Sequence, residues 1–213
     1  HNYASGLYKI HVYVSTSNGL FAYTQQCNQL VSSTQYYSIM GETTVTVEQM
    51  IAYYNSSGHT YPSTVLEIGG AETLEQFCLL YYEEAKVEGV RAEVAFAQAM
   101  KETGWLQYGG IVRIEQFNFA GIGALDGNST GQCASFPDVR TGIRAQIQHL
   151  KAYASKESLV NAQVDPRFHL VKRGVAPYVE WLGQQENPEG VGWATSPGYG
   201  YSIVQMIKKL KAI

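Results

Sequence analysis

From Ala71 onward the apolar residues stop alternating and recur every three or four positions, which fixes most of what this chain can become. Thr73-Leu74-Glu75-Gln76 has the form of a helix-opening capping box, in which a Thr hydroxyl and a Gln amide satisfy each other's backbone N–H groups. Leu74, Phe77, Leu80, Tyr81 and Ala85 then line one helical face, and Gly89 ends it. A second helix is expected from about Ala92, burying Val94, Ala97 and Met100, until Thr103-Gly104. Asp138 reads as the cap of a third, with Val139, Ile143, Ile147 and Leu150 as its stripe. Two shorter helices are expected at Pro166–Arg173 and Ala176–Leu182, and a last one from about Tyr199 to Leu210. Residues 106–135 are rich in Gly and Asn and carry no helical period, so they read as an irregular or β-hairpin lobe. The fold class is therefore mainly α.

The first 66 residues differ in composition: Lys9, Glu42 and Glu48 are their only charged side chains, while nine of the 16 tyrosines lie there. Residues 6–14 alternate at a period of two, with Tyr8, Ile10, Val12 and Val14 on one face, and predict a β-strand closed by the turn signal Ser17-Asn18-Gly19. Tyr-rich, polar, weakly charged sequence is common in secreted and wall-associated bacterial proteins. The expected organisation is residues 1–20 as the end of a preceding β-repeat or an edge strand, 21–70 as a polar linker or N-terminal extension, and 71–213 as the main helical domain.

Composition excludes several classes. The chain is 45% hydrophobic and 15% charged, which removes disordered tails and coiled coils. Its 15 Lys+Arg against 18 Asp+Glu leave no basic excess for nucleic acid. No apolar run approaches the roughly 18 residues that span a bilayer. Cys27, Cys78 and Cys133 stand far apart and the five histidines do not cluster, so neither a metal nor any other cofactor is expected. A chain opening on His1 reads as a fragment or a processed product, for which the lack of a signal peptide says nothing. There is no G-x-S-x-G, H-E-x-x-H or Walker loop. A thiol peptidase built on Cys133 and His149 is disfavoured, because His149 falls in mid-helix.

Glu102 stands out chemically. It ends an apolar helix beside Met100 and Trp105, where partial desolvation and the helix C-terminus both disfavour the ionised carboxyl. That is what a proton donor to a glycosidic oxygen requires.

Three motifs occur in order: Glu102-Thr103-Gly104-Trp105, Asn118-Phe119-Ala120-Gly121-Ile122-Gly123-Ala124-Leu125-Asp126, and Gly192-Trp193-Ala194-Thr195-Ser196-Pro197-Gly198-Tyr199. Together they resemble the glucosaminidase family of bacterial autolysins, glycoside hydrolase family 73, over about residues 71–213. The strand at the N-terminus looks like the last strand of the immunoglobulin-like repeats that precede catalytic domains in clostridial wall proteins. The resemblance implies a lysozyme-like helical domain that cuts the GlcNAc-β-1,4-MurNAc bond of peptidoglycan, secreted to the cell wall and working as a monomer on glycan strands. It implies Glu102 as general acid, Asn118 and Phe119 on the groove floor, Asp126 as a second acidic group and Tyr199 beside the cleaved sugar. Trp105, Trp193 and Tyr178 are expected as aromatic sugar platforms. Two positions depart from the family pattern: Trp193 replaces a Tyr and Ser196 an Asp. The second catalytic group stays open between Asp126, Glu115 and the substrate's own acetamido group. A lytic transglycosylase or muramidase on the same scaffold and a non-catalytic wall-binding module are the alternatives.

Overall fold

The computed structural model describes residues 36–123 and 133–213 in full and, before them, the backbone of four short strands. The chain forms two compact units, His1–Tyr36 and Tyr37–Ile213. In the first, β1 (Gly6–Lys9) pairs antiparallel with β4 (Asn28–Val31), and β2 (Val12–Thr16) with β3 (Gly19–Tyr23). The single strand expected over 6–14 is thus two strands in separate sheets, because each half finds its own downstream partner. Thr16 is paired with Gly19, and Ser17 and Asn18 of the expected turn lie outside the described residues.

The second unit is helical. Its elements are α1 (Val47–Ser56), α2 (Ser63–Leu66), α3 (Leu74–Glu88), α4 (Ala92–Thr103), α5 (Val139–Ala154) and α6 (Tyr199–Lys211). The Thr73 box, the Gly89 stop and the Asp138 cap all form, the last through Asp138 Oδ1 accepting from the Thr141 N–H at 2.7 Å. The short helices expected around 166–173 and 176–182 are single 3₁₀ turns, Phe168–Leu170 and Val179–Leu182. Among the described residues of 106–135 there is a 3₁₀ turn at Ile114–Gln116 and no strand. Among the described residues, no helix is long and apolar enough to cross a membrane.

The composition boundary near residue 66 is not a boundary of this unit. Residues 47–66, expected within the polar linker or extension, form α1 and α2. A second capping box, Thr46 with Gln49, opens α1, whose Met50, Tyr53 and Tyr54 are buried as it packs on α3 and α6. Spacing of i, i+3, i+4 decides burial here, and low charge content does not oppose it.

α4 is the centre. Every residue from Ala92 to Met100 is buried, as expected of a helix packed on all sides. α3 and α5 pack along each other with charges at the seam. Arg144 and Arg140 hold Glu84 at 2.7 and 2.8 Å, and one turn further Lys151 holds the fully buried Glu88 at 2.9 Å. Glu88 also accepts the N–H groups of Val160 and Asn161, so it fixes the chain that leaves α5. At the other end of α5, a Cβ on Gly142 would stand 1.8 Å from the Phe117 carbonyl oxygen. Only glycine lets the helix approach the 117–123 loop this closely.

Candidate active site

Glu102 is the last residue but one of α4. Gly104 ends the helix in the left-handed conformation (φ 57), and the Trp105 N–H returns to the Met100 carbonyl at 2.8 Å in a Schellman ending. The Thr103 hydroxyl donates to the Ala99 carbonyl and accepts from the Leu106 N–H, which locks the turn. The backbone stays left-handed at Trp105, Leu106 and Tyr108. Glu102 is thereby held at the open edge of a dry helix. Its side chain reaches solvent, but the protein packed around it removes much of its hydration and raises its pKa above the ordinary carboxylate value of 4.5. A hydrogen bond from Tyr199 and the charge of Lys101 work in the opposite direction.

The Tyr199 hydroxyl donates to Oε1 of Glu102. Tyr199 is the first residue of α6 and is 5% exposed. Burial, reinforced by the Glu102 charge, pushes its phenol far above the usual value, so it stays neutral and able to donate. The helix can place it there because Gly200 follows: a Cβ at that position would meet the Val179 carbonyl at 2.1 Å. The Tyr199 oxygen in turn accepts from Gln98 Nε2 at 3.0 Å.

Glu102 and Gly121 lie between two depressions that share them. The larger, about 470 Å³, is walled by Ala120–Gly123, Trp193, His149, Tyr153, Arg167 and Tyr199. The smaller, about 290 Å³, runs past Tyr108 to Val112. Asn118 shapes the shared wall. Its buried amide donates to the Ile122 and Ala134 carbonyls and accepts from the Ala120 and Ile122 N–H groups. At the far wall, His149 Nδ1 lies 2.7 Å from the buried Asp165 carboxylate, and its ring meets Trp193 edge-on at 4.8 Å. Asp165 also accepts the Arg167 N–H at 2.8 Å, which places Arg167 at the groove. Among the described residues, no group of three or more His, Cys, Asp or Glu side chains could hold a metal ion.

The expected site residues divide accordingly. Glu102, Tyr199 and Trp193 come together. Asp126 lies outside the described residues. Phe119 is wholly buried against Phe77 and Tyr81, so it packs the core beneath the groove and cannot meet a sugar. Asn118, 1% exposed, spends its polar atoms on the loop backbone and supports the groove without reaching it. The Trp105 ring packs on Tyr53 and Tyr54 of α1, centroids 5.1 and 6.1 Å apart, since the left-handed backbone turns it away from the groove. Tyr178 sits edge-on to Trp181 and its backbone bridges to Ser38, outside both depressions. Glu115 is exposed on its 3₁₀ turn, as a solvated loop charge should be. His149, Tyr153, Asp165, Arg167 and Gln98 were not among the expected residues. His149 and Tyr153 stand four apart on α5, a spacing that puts both on one face and was available in the sequence.

The groove thus holds a partly desolvated carboxyl where its two depressions meet, with a neutral phenol donating to it, an arrangement able to give a proton to a bound substrate. The sequence pattern of the Glucosaminidase family, described as mannosyl-glycoprotein endo-beta-N-acetylglucosaminidase, matches residues 78–212, well over half of the chain. The chain belongs to this family of glycoside hydrolases. It is also 50% identical over 99 residues to an uncharacterized protein of Borreliella burgdorferi, covering 46% of this chain and 48% of that protein. The chain thus spans about half the length of the curated relative it matches. The crystal structure of S. aureus autolysin E in complex with a muropeptide aligns with a TM-score of 0.49 at 15% identity, over 95% of this chain and 84% of that one.

Proposed function

We propose that this protein is a peptidoglycan endo-β-N-acetylglucosaminidase that cuts the GlcNAc-β-1,4-MurNAc bond within glycan strands, acting in the cell wall after secretion. The observation that carries the reading is the position of Glu102 between two depressions that share it. A proton donor at the midpoint of a continuous groove fits a strand that extends both ways from the cleaved bond, which is what an endo-acting enzyme needs. Glu102, whose partly desolvated setting favours its protonated form, donates to the leaving oxygen. Tyr199 steadies the carboxylate that remains and the sugar beside it. Asp126 in the following loop, or the substrate's acetamido group, completes the displacement.

The substrate class follows from charge. Arg167 lines the larger depression and its guanidinium makes no ion pair among the described residues. It suits the lactyl carboxylate of MurNAc or a stem-peptide carboxylate, which a neutral mannosyl glycan lacks. Trp193 offers an aromatic face for a sugar ring. The catalytic unit is the one that begins at Tyr37, and it works as a monomer.

The test is digestion of purified peptidoglycan, borohydride reduction of the fragments and mass spectrometry of the reduced sugar. Reduced GlcNAc is expected, and Glu102→Gln should abolish its release without lowering the melting temperature. Reduced MurNAc or a 1,6-anhydro product would move the cleavage site to that of a muramidase or transglycosylase. Binding without product would make the domain a wall-binding module.

A further inference from the structure

A line of buried hydrogen bonds runs from the core to the proposed acid, and its direction is set by one backbone atom. The Ala95 carbonyl of α4 can only accept. Gln146 of α5 must therefore turn its Nε2 toward it, at 2.9 Å, and the Gln146 Oε1 then faces the Tyr81 hydroxyl of α3 at 2.7 Å. The second Nε2 hydrogen of Gln146 meets Gln98, which must present its oxygen, also at 2.9 Å. Gln98 consequently presents its own Nε2 to the Tyr199 oxygen. With that lone pair occupied by a donor, the single Tyr199 proton points to Oε1 of Glu102. Tyr81, Gln98 and Gln146 are all 0% exposed, so no water competes for these groups. A flip of Gln146 would set its oxygen against the Ala95 carbonyl, and a flip of Gln98 would set its amide hydrogens against those of Gln146.

We propose that Gln98, Gln146 and Tyr81 are positioning residues that hold the Tyr199 hydroxyl as a donor to Oε1 of Glu102 and so reserve Oε2 as the oxygen that gives its proton to the substrate. Oε2 is the oxygen on the Gly121 side, 4.0 Å from where a Cβ on that glycine would lie, and Gly121 belongs to both depressions. Oε1 is committed as an acceptor, so the acid proton rides on Oε2. On donation the O–H bond breaks, its electron pair stays on Glu102, and the proton bonds the glycosidic oxygen. The carboxylate left behind is stabilised by the bond already in place at Oε1. Polarisation along the relay strengthens that bond.

The inference rests on Glu102 being the acid, and the experiment separates the two claims. Other titratable or charged groups around Glu102 are Lys101 on its own helix, Tyr199 on α6, Tyr108 in the following loop, and His149, Tyr153 and Arg167 along the groove. None of them is altered in Gln98→Leu or Tyr81→Phe. kcat and KM are measured against pH on soluble peptidoglycan fragments with the full chain. Gln98→Leu weakens the donor to Oε1, which favours the protonated carboxyl. The alkaline limb of kcat/KM should therefore move to higher pH, while kcat falls about tenfold, a small part of what a positioned acid contributes, and KM stays unchanged. Tyr81→Phe, which removes one hydroxyl at the far end, should move the limb the same way by less, and it carries the test if Gln98→Leu does not fold. A fall in kcat with the limb unmoved in both variants, while Glu102→Gln is inactive, overturns the relay and leaves only packing. An active Glu102→Gln overturns the acid assignment and the relay with it.

Discussion

Tyr199→Phe removes a single oxygen that serves two partners, and the consequences differ on each side. Toward the core, Gln98 Nε2 loses the acceptor it reaches at 3.0 Å and sits in a wholly buried site with no water to replace it. An unsatisfied buried donor costs about 1–3 kcal/mol. The phenylalanine ring fills nearly the same space, so no cavity term adds to this. For a domain of this size each kcal/mol lowers Tm by roughly 2–4 °C, so a loss of about 2 kcal/mol appears as a drop of about 4–8 °C. Toward the groove, Glu102 is exposed, and water can take over the lost hydrogen bond. The stability cost on that side is small, and the effect is on chemistry. The carboxylate formed on proton transfer loses its preorganised donor, so kcat should fall by about 10²-fold and the alkaline limb of the pH profile should move upward. Differential scanning calorimetry and pH-dependent turnover of the same preparation read both sides. A variant with the parent's Tm and the parent's pH profile would refute the geometry at Tyr199.

Other outcomes follow from the same contacts. Lys151→Met leaves Glu88 charged in a site with 0% side-chain exposure and should cost about 3–5 kcal/mol, part of which Glu88→Gln in the same chain restores. A double-mutant cycle in urea measures this. Burial pushes Glu84 and Glu88 up, but Arg144 and Arg140 on one and the Val160 and Asn161 N–H groups with Lys151 on the other more than offset it, leaving both below 4.5. Carboxylates depressed in the folded state add stability above their ordinary value and lose it as pH falls through the folded one. Urea midpoints should thus be flat from neutral pH down to the ordinary carboxylate value of 4.5 and decline as pH falls from there through the folded values. Asn118→Ala should lower kcat and protease resistance of the 117–123 loop together, and a change confined to KM would instead indicate contact with sugar.

What could be read from the sequence was local in origin. The Thr73 box, the Gly89 stop and the Asp138 cap each depend on residues within four positions, and all form as expected. Glu102 stood out because an acidic residue closing an apolar helix is a local pattern. Gln98 and Gln146 were invisible as a pair: 48 residues separate them, and glutamines at buried helical positions look like any polar residue until two helices meet. His149 was discounted for lying in mid-helix, although a helix with one face on a groove presents mid-helix residues well. The polar composition of residues 1–66 drew a boundary that packing ignores, since Met50, Tyr53 and Tyr54 bury themselves without needing charged neighbours. Trp105 was misplaced because nothing in Thr-Gly-Trp reveals the sign of φ, and that sign decides which way the indole turns.

The left-handed run after α4 has a bearing on how such domains can be recombined. Trp105, Leu106 and Tyr108 hold positive φ without being glycine, an arrangement that costs energy at each position and survives only where the surroundings impose it. Tyr54 on α1 supplies part of that imposition through its hydroxyl bond to the Trp105 carbonyl at 3.1 Å. A loop borrowed from another protein would lack the partner that Tyr54 expects and loosen the turn that leads from the acid to the groove wall. Exchange of Ala92–Tyr108 between chimeric enzymes therefore calls for α1 to come with it, two segments far apart in the chain that a crossover must inherit together.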